Sequence, residues 1–406
     1  MEYIRRHIED IIKKANGDFK AVLLTGPRQV GKSTTLRRMY KDIPYITLDD
    51  IYYEEFAKNN PNMFMDLNRP PLFIDEVQRA PELFRNIKMV CDDTSDKGLF
   101  LLSGSQPMVL MEKASESLAG RVAVIEMCTL SLREIIGCDF NEPFIPTMEY
   151  IKRRNGEYKK IDDIWNIIHR GMYPEIQDKN IDWSLFYSGY VRTYLERDVR
   201  MLSAVQDLEA FTRFMVACAS RTGQVLNISN IANEIGKDNK TVSNWISILQ
   251  ASGIIYLLEP YSSNSLKRVI RSPKLYFRDT GLAAYLLRWQ TPEVLALGAM
   301  NGAFFETFVI SEILKSYANR GLDYKYYVSY YRDREAKEID FIIEENGVLY
   351  PIEIKMTLDP KASMTSSFME LDKINDKKRG TGAIICACST PSLIRENIFQ
   401  IPYSFL

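Results

Sequence analysis

Three stretches of the chain carry side chains whose types and spacing suit phosphate and metal chemistry. In AVLLTGPRQVGKSTTLRRM, Gly26, Gly31, Lys32 and Ser33 fit the pattern G-x-x-x-x-G-K-[ST] between an apolar strand and a helix. In that setting the glycines let backbone N–H groups wrap phosphates, and the helix adds its positive amino-terminal end. Gly26, Pro27, Arg28, Gln29, Val30, Gly31, Lys32, Ser33 and Thr34 are therefore the candidate nucleotide-binding residues. Lys32 would reach the β- and γ-phosphates of ATP, and the Ser33 hydroxyl would ligate Mg²⁺. The second stretch, PPLFIDEVQRAP, reads as a buried strand ending in Asp75 and Glu76, where open α/β sheets place ligands. Asp75 would hold Mg²⁺ through water, and Glu76 would orient and polarise an attacking water.

A further strand, LFLLSGSQ, ends in Ser103 and Ser105, either of which could sense the γ-phosphate; Ser105 is the catalytic candidate. A helix is expected from about Met108 to Leu118, and Arg121 stands between it and the strand of AGRVAVIEM. The third stretch is EIDFIIEENGVLYPIEIK. Asn346-Gly347 is a strong signal for a two-residue type I′ hairpin. Counting outward sets Asp340 opposite Glu353 and Glu338 opposite Lys355, all on one face by strand alternation. Opposed carboxylates repel by roughly 0.2–1 kcal/mol. Either a cation between Asp340 and Glu353 or a ladder of ion pairs through Lys355 would relieve that repulsion.

These residues need scaffolding. The chain of 406 residues is long enough for two to four domains. Its 52 basic and 53 acidic residues leave a net charge of −1, so any nucleic-acid affinity must come from a local basic patch. Six cysteines without C-x-x-C spacing and only two histidines suggest neither a zinc site nor a disulfide framework. No apolar run approaches the roughly 18 residues of a membrane span, and the charged amino terminus lacks a signal-peptide core. A cytoplasmic protein without membrane contact is expected. Alternating strands and helices predict a parallel sheet domain over 1–140. A helical lid or linker is expected over 141–220, a helix-turn-helix with strands over 221–280, and a last domain over 281–406.

In NISNIANEIGKDNKTVSNWISILQASGIIYLLEPY two apolar helical stripes are separated by Gly236, with Asp238 or Asn239 as cap. Lys240, Thr241, Ser243 and Asn244 are the positions that a major-groove helix would present. Downstream, Lys267, Arg268, Arg271, Lys274 and Arg278 are expected to form a stripe facing DNA phosphates.

The order of phosphate loop, Asp-Glu pair, polar sensor and helix-end arginine resembles the AAA+ ATPases. That resemblance implies a trans-acting arginine finger at Arg121, and hence a homo-oligomer. Over nearly the full length, GPRQVGKST, FIDEVQRAP, LSGSQ, AGRV, GMYPE, YLERDV, SPKLYFRDTGL and the hairpin resemble prokaryotic predicted ATPases that join an AAA domain to a DUF4143 domain. The resemblance implies ATP binding, a winged helix and a carboxyl-terminal nuclease-like domain, without supplying a substrate. A helix glutamate (Glu306), a strand aspartate (Asp340) and Glu353-x-Lys355 are similar to the PD-(D/E)XK nuclease core. Glu306, Asp340 and Glu353 would then hold Mg²⁺, and Lys355 would orient or activate water.

The expected fold is thus α/β: an AAA+ P-loop parallel sheet, a helical lid, a winged helix and a PD-(D/E)XK nuclease-like α/β domain. The expected function is ATP hydrolysis coupled to action on DNA. A nucleotide-controlled protein-binding switch, with an inactive nuclease-like scaffold, fits the same residues.

Overall fold

The computed structural model describes residues 3–105, 118–159, 161, 163–194, 199, 207–262 and 272–406. The helix expected at Met108–Leu118, the YLERDV motif, and Lys267, Arg268 and Arg271 lie wholly or mostly outside these residues.

The first sheet is parallel, in the order β2 (Tyr45–Thr47), β3 (Leu72–Asp75), β4 (Phe100–Ser103), β1 (Ala21–Thr25), β5 (Val122–Glu126). Every residue of β1, β3 and β4 is buried, which explains why their sequences are continuous apolar runs. Alternation sends Ala21 and Leu23 into one core, with Ile74, Phe84 and Leu102. Val22 and Leu24 enter another, with Phe73, Leu101 and Ile125. The second core does not stop at the sheet. It runs on through Tyr150, Phe214 and Phe308 to Leu406, so the boundaries expected at 140, 220 and 280 are crossed by a single apolar interior.

After β5, the helices Met148–Asn155, Ile164–Arg170 and Trp183–Tyr194 pack across this core. The first two are started by side-chain caps, from Thr147 to the Tyr150 N–H and from Asp163 to the Asn166 N–H. Two further helices, Ile228–Ile235 and Asn239–Ala251, meet at Gly236, which takes a left-handed φ of 68°. Asp238 caps the second through the Thr241 N–H. Their stripes, Ile231, Ala232 and Ile235 facing Val242, Trp245, Ile246 and Leu249, are buried as their spacing predicts. Behind them lies an antiparallel sheet of β6 (Gln224–Val225), β8 (Lys274–Phe277) and β7 (Ile255–Leu258), in that order.

The last part places the helix Asn301–Ala318 on a seven-stranded mixed sheet. Its strands are β9 (Val328–Arg332), β10 (Glu338–Glu345), β11 (Val348–Ile354), β12 (Lys378–Arg379), β13 (Gly382–Cys386), β14 (Ser392–Arg395) and β15 (Ile398–Pro402). β10 and β11 form the expected hairpin, with Asn346 and Gly347 at φ 51° and 77° and a register running from Glu345–Val348 to Phe341–Ile352.

The GMYPE motif has a structural role that its sequence does not disclose. Gly171 turns at φ 85°, and a Cβ there would lie 2.1 Å from the Tyr187 hydroxyl and 2.7 Å from Asp279 Oδ1. That gap lets the buried Asp279 carboxylate accept from the Met172 N–H at 2.7 Å, the Tyr187 hydroxyl at 2.8 Å and the Leu282 N–H at 2.9 Å. Burial pushes the Asp279 pKa up, against the pull of these donors. Gly171→Ala should therefore destabilise the protein by roughly 2–5 kcal/mol, combining overpacking with a left-handed alanine. Thermal unfolding of the variant, read as a lowered Tm, checks this.

Candidate active site

The phosphate loop joins β1 to the helix Lys32–Met39, which begins at Gly31 with φ 95°. Gly26 cannot be replaced without a clash: at φ 139° an added Cβ would fall 2.2 Å from the Met127 carbonyl oxygen. Between them Gln29 also takes a positive φ, 60°, and the loop bends back over the strand end. The buried Lys32 ammonium donates to the carbonyls of Gly26 at 3.0 Å and Pro27 at 2.8 Å. Arg6 braces the loop from behind, donating to the Val30 carbonyl at 2.8 Å and pairing with Glu134 at 3.2 Å. Arg28 is half-buried, and Gln29 and Thr34 are exposed.

Asp75 ends β3 directly beside this loop. Its Oδ1 accepts from the Ser33 hydroxyl at 2.8 Å and from the Ser103 hydroxyl, and its Oδ2 accepts from the Tyr45 hydroxyl at 3.0 Å. Burial, then the neighbouring Asp75 charge, push the Tyr45 pKa up to about 12, so Tyr45 stays a proton donor. The next residue, Glu76, takes a left-handed φ of 54°, which turns its carboxylate toward Ser105 at 3.2 Å and toward the Gln78 amide. The two serines that the sequence left as alternatives therefore divide the work: Ser103 touches Asp75, and Ser105 touches Glu76.

Ser33 and Asp75 are hard oxygen donors in contact with each other, a donor set that fits Mg²⁺. Beside the loop lies a recess of about 240 Å³ lined by Tyr3, Ile4, Val30, Thr34, Leu130 and Pro174. Its size and its apolar walls suit a planar base next to bound phosphates. Sequence reasoning missed Tyr3, Ile4, Arg6, Tyr45, Gln78 and Pro174 here. Only Gln78, two residues after Glu76, carried a local signal.

Arg121 stands apart from this group. Its carbonyl accepts from the Ala21 N–H, at the opposite end of β1 from Gly26 and so roughly 15 Å away at about 3.3 Å per residue. Its half-exposed guanidinium pairs with Asp92 and donates to the Ala119 carbonyl at 3.0 Å. It does not reach the loop of its own chain.

The carboxyl-terminal candidates form a different arrangement from the expected one. Continuing the hairpin register sets Asp340 opposite Glu353, and the Ile354 N–H donates to Asp340 at 2.9 Å. Lys355 does not pair with Glu338. Its ammonium lies between Asp340, at 2.8 Å, and Glu353, at 3.0 Å. Glu338 turns to β9 and β8, pairing with Arg332 at 3.2 Å and Lys274 at 2.5 Å. The β10–β11 ladder is paired only as far as Phe341–Ile352, and β11 ends at Ile354, whereas Glu338 stands in register with Arg332 of β9.

Glu306 accepts from the Tyr276 hydroxyl at 2.6 Å and lies 3.4 Å from Lys274. Burial raises its pKa, with Asp340 adding to the effect and Lys274 opposing it. Burial, then Asp340, raise the Glu353 pKa to about 9. For Asp340 the cost of burial is outweighed by the Lys355 and Lys274 charges, and its pKa falls. Glu306, Asp340 and Glu353 were expected to form one metal shell. Among the described residues, no group of three or more His, Cys, Asp or Glu side chains is placed to hold a metal ion. As arranged, Lys355 lies between Asp340 and Glu353, while Tyr276 and Lys274 contact Glu306.

Of the expected basic stripe, Lys274 and Arg278 are the described members, and neither is exposed. Lys274 is 2% exposed and Arg278 is mostly buried, paired with Glu126 and donating to the Tyr324 hydroxyl at 2.9 Å. All four residues of β8 are buried, so this strand has no face to offer a phosphate backbone. All six cysteines are buried thiols. No described helix is long and apolar enough to cross a membrane.

Comparison with known proteins finds relatives that span most of the chain. An uncharacterized protein of Mycobacterium tuberculosis is 29% identical over 371 residues, spanning 90% of this chain and 78% of its own. An uncharacterized protein of Haemophilus influenzae is 20% identical over 397 residues, 92% of this chain and 91% of its own. Among solved structures, a Walker-type ATPase of Pyrococcus abyssi is similar with a TM-score of 0.38 and 14% identity, covering 69% of this chain and 94% of that one. Residues 161–293 match a domain of unknown function, DUF8612. Residues 18–136 match the model of an AAA domain, and residues 301–406 match a second domain of unknown function, DUF4143. The chain is thus an AAA-domain protein with a carboxyl-terminal DUF4143 domain.

Proposed function

We propose that the protein binds and hydrolyses ATP, and that its DUF4143 domain is a scaffold for a nucleotide-controlled switch rather than a nuclease. The observation that carries the first part is the convergence of Lys32, Ser33, Asp75, Glu76 and Ser105 at the ends of β1, β3 and β4. Ser33 and Asp75 would hold Mg²⁺, which supplies charge neutralisation for the phosphates. Lys32 would exchange its two loop carbonyls for phosphate oxygens, contributing a point charge that the backbone cannot replace. Glu76 would accept the proton of the attacking water while Ser105 keeps the carboxylate oriented. The recess bounded by Tyr3 and Pro174 would take the base. The position of Arg121, remote from its own loop, is compatible with service to a neighbouring subunit.

The scaffold reading rests on the closed ion network around Lys355. A second reading, DNA binding through a winged helix, is favoured by the exposed Lys240, Ser243 and Asn244 on the helix Asn239–Ala251. Loss of Lys274 and Arg278 from the supposed phosphate stripe weakens it.

Lys32→Ala should abolish ATP turnover and most ATP affinity. Glu76→Gln should keep the affinity but slow phosphate release at least ~100-fold, the scale for losing a positioned base; turnover at the wild-type rate in Glu76→Gln would remove that role.

Asp340→Asn should lower stability by about 1–3 kcal/mol, since it breaks a charge-assisted bond to Lys355. Mn²⁺ should not shift the melting temperature of either protein. A metal-dependent rise confined to the wild type, together with DNA cleavage, would instead restore the nuclease reading.

If the winged-helix reading holds, binding to labelled duplex DNA should weaken steeply with salt, and Lys240→Ala should reduce the log–log slope by about one. A flat salt dependence would leave the protein-binding switch.

A further inference from the structure

We propose that Gln78 is the positioning residue for Glu76, an inference that rests on the ATP-hydrolysis reading. Gln78 lies on the single 3₁₀ turn Val77–Arg79 that follows β3. Its Nε2 donates to Glu76 Oε2 and lies 3.5 Å from Ser105 Oγ, which donates to the same Oε2 at 3.2 Å. The three side chains close a triangle on one carboxylate oxygen. Among the described residues, no hydrogen-bond donor reaches Glu76 Oε1. That is the oxygen left to accept a proton.

The orientation of the amide follows from charge. Only the NH₂ end of a glutamine can face an ionised carboxylate, so the Gln78 carbonyl must point away from Glu76. That carbonyl oxygen is buried and has no partner among the described residues. A buried acceptor left unpaired is unfavourable, and native structures keep few such groups. Glu76 adds a second unfavourable feature, a left-handed φ of 54° on a non-glycine residue. Both features are maintained by the same short turn, and both serve to hold one carboxylate in one direction. A glutamine that only packed the turn would have no need to point its donor at Glu76 and leave its acceptor unpaired.

The inference predicts a kinetic signature that a packing role would not produce. Gln78→Ala should lower the kcat for ATP hydrolysis about 10- to 100-fold, the scale of a misdirected catalytic group. KM and nucleotide affinity should stay within about 2-fold, because neither phosphate nor base is touched. Gln78→Met, which keeps the length of the side chain but not its amide, should match Gln78→Ala and guards against a folding defect. The decisive measurement is the double substitution. In the Glu76→Gln background, Gln78→Met should cost less than about 2-fold more in kcat, because it acts through a group already disabled. An equal loss of kcat in both backgrounds would overturn the inference while leaving ATP hydrolysis by Glu76 standing. A wild-type rate for Gln78→Met would overturn it too. A wild-type rate for Glu76→Gln would overturn the role of Glu76 first, and that of Gln78 with it.

Discussion

Asp75 places one carboxylate where β3, β4 and the phosphate-loop helix meet, with β2 reaching in through Tyr45. Four backbone elements are held by five oxygen atoms: two on Asp75 accept, and the hydroxyls of Ser33 and Ser103 share the first while Tyr45 takes the second. A buried carboxylate is costly unless its lone pairs are used, and here burial and function make the same demand. Removing any of these hydroxyls would leave a lone pair of the buried carboxylate unused. The phosphate loop and the ends of β3 and β4, with Glu76 next in sequence, are brought together at this contact.

A second constraint joins the sheet to the remainder of the chain. Buried cations recur where its parts meet: Arg6 with Glu134, Arg278 with Glu126, and Lys315 with Glu312 and the Leu130 carbonyl. Such pairs add little net stability, since desolvation offsets the attraction, but leaving one partner alone is strongly unfavourable. They therefore fix how the parts dock more than how tightly. Pro27, inside the phosphate loop, packs on the turn after the helix Asn239–Ala251 so closely that a Cβ on Gly253 would lie 2.6 Å from its Cγ. A rearrangement of the loop backbone would be transmitted to that helix by contact, which is the coupling a nucleotide switch requires.

What could be read from the sequence was what short-range geometry decides. The phosphate loop, the Asp75-Glu76 strand end, the break at Gly236 and the Asn346-Gly347 turn each depend on a few adjacent residues, and each is found where it was expected. What could not be read depends on partners distant in the chain. Lys274 and Arg278 look like a basic stripe until β8 is seen to lie between β6 and β7 with every residue buried. Gly171 looks like a loop glycine until Tyr187 and Asp279 close on it from 16 and 108 positions away. Glu338 could be assigned to Lys355 only by assuming that the ladder continues, and β11 ends at Ile354, one residue before Lys355.

The carboxylates of the last domain show how charge balance bears on chemistry. Four carboxyl groups, on Glu306, Glu338, Asp340 and Glu353, meet three cations, Lys274, Arg332 and Lys355. The imbalance is one negative charge in a largely buried setting, where an uncompensated charge is expensive. Burial and the adjacent Asp340 raise the Glu353 pKa to about 9, and burial also raises that of Glu306, so both carboxyls ease the excess of negative charge. The repulsion implied by the hairpin register is relieved by the Lys355 ammonium, which lies between Asp340 and Glu353. A divalent ion entering between Asp340 and Glu353 would have to displace Lys355 from both. That change is opposed by the surroundings that hold the other groups in place.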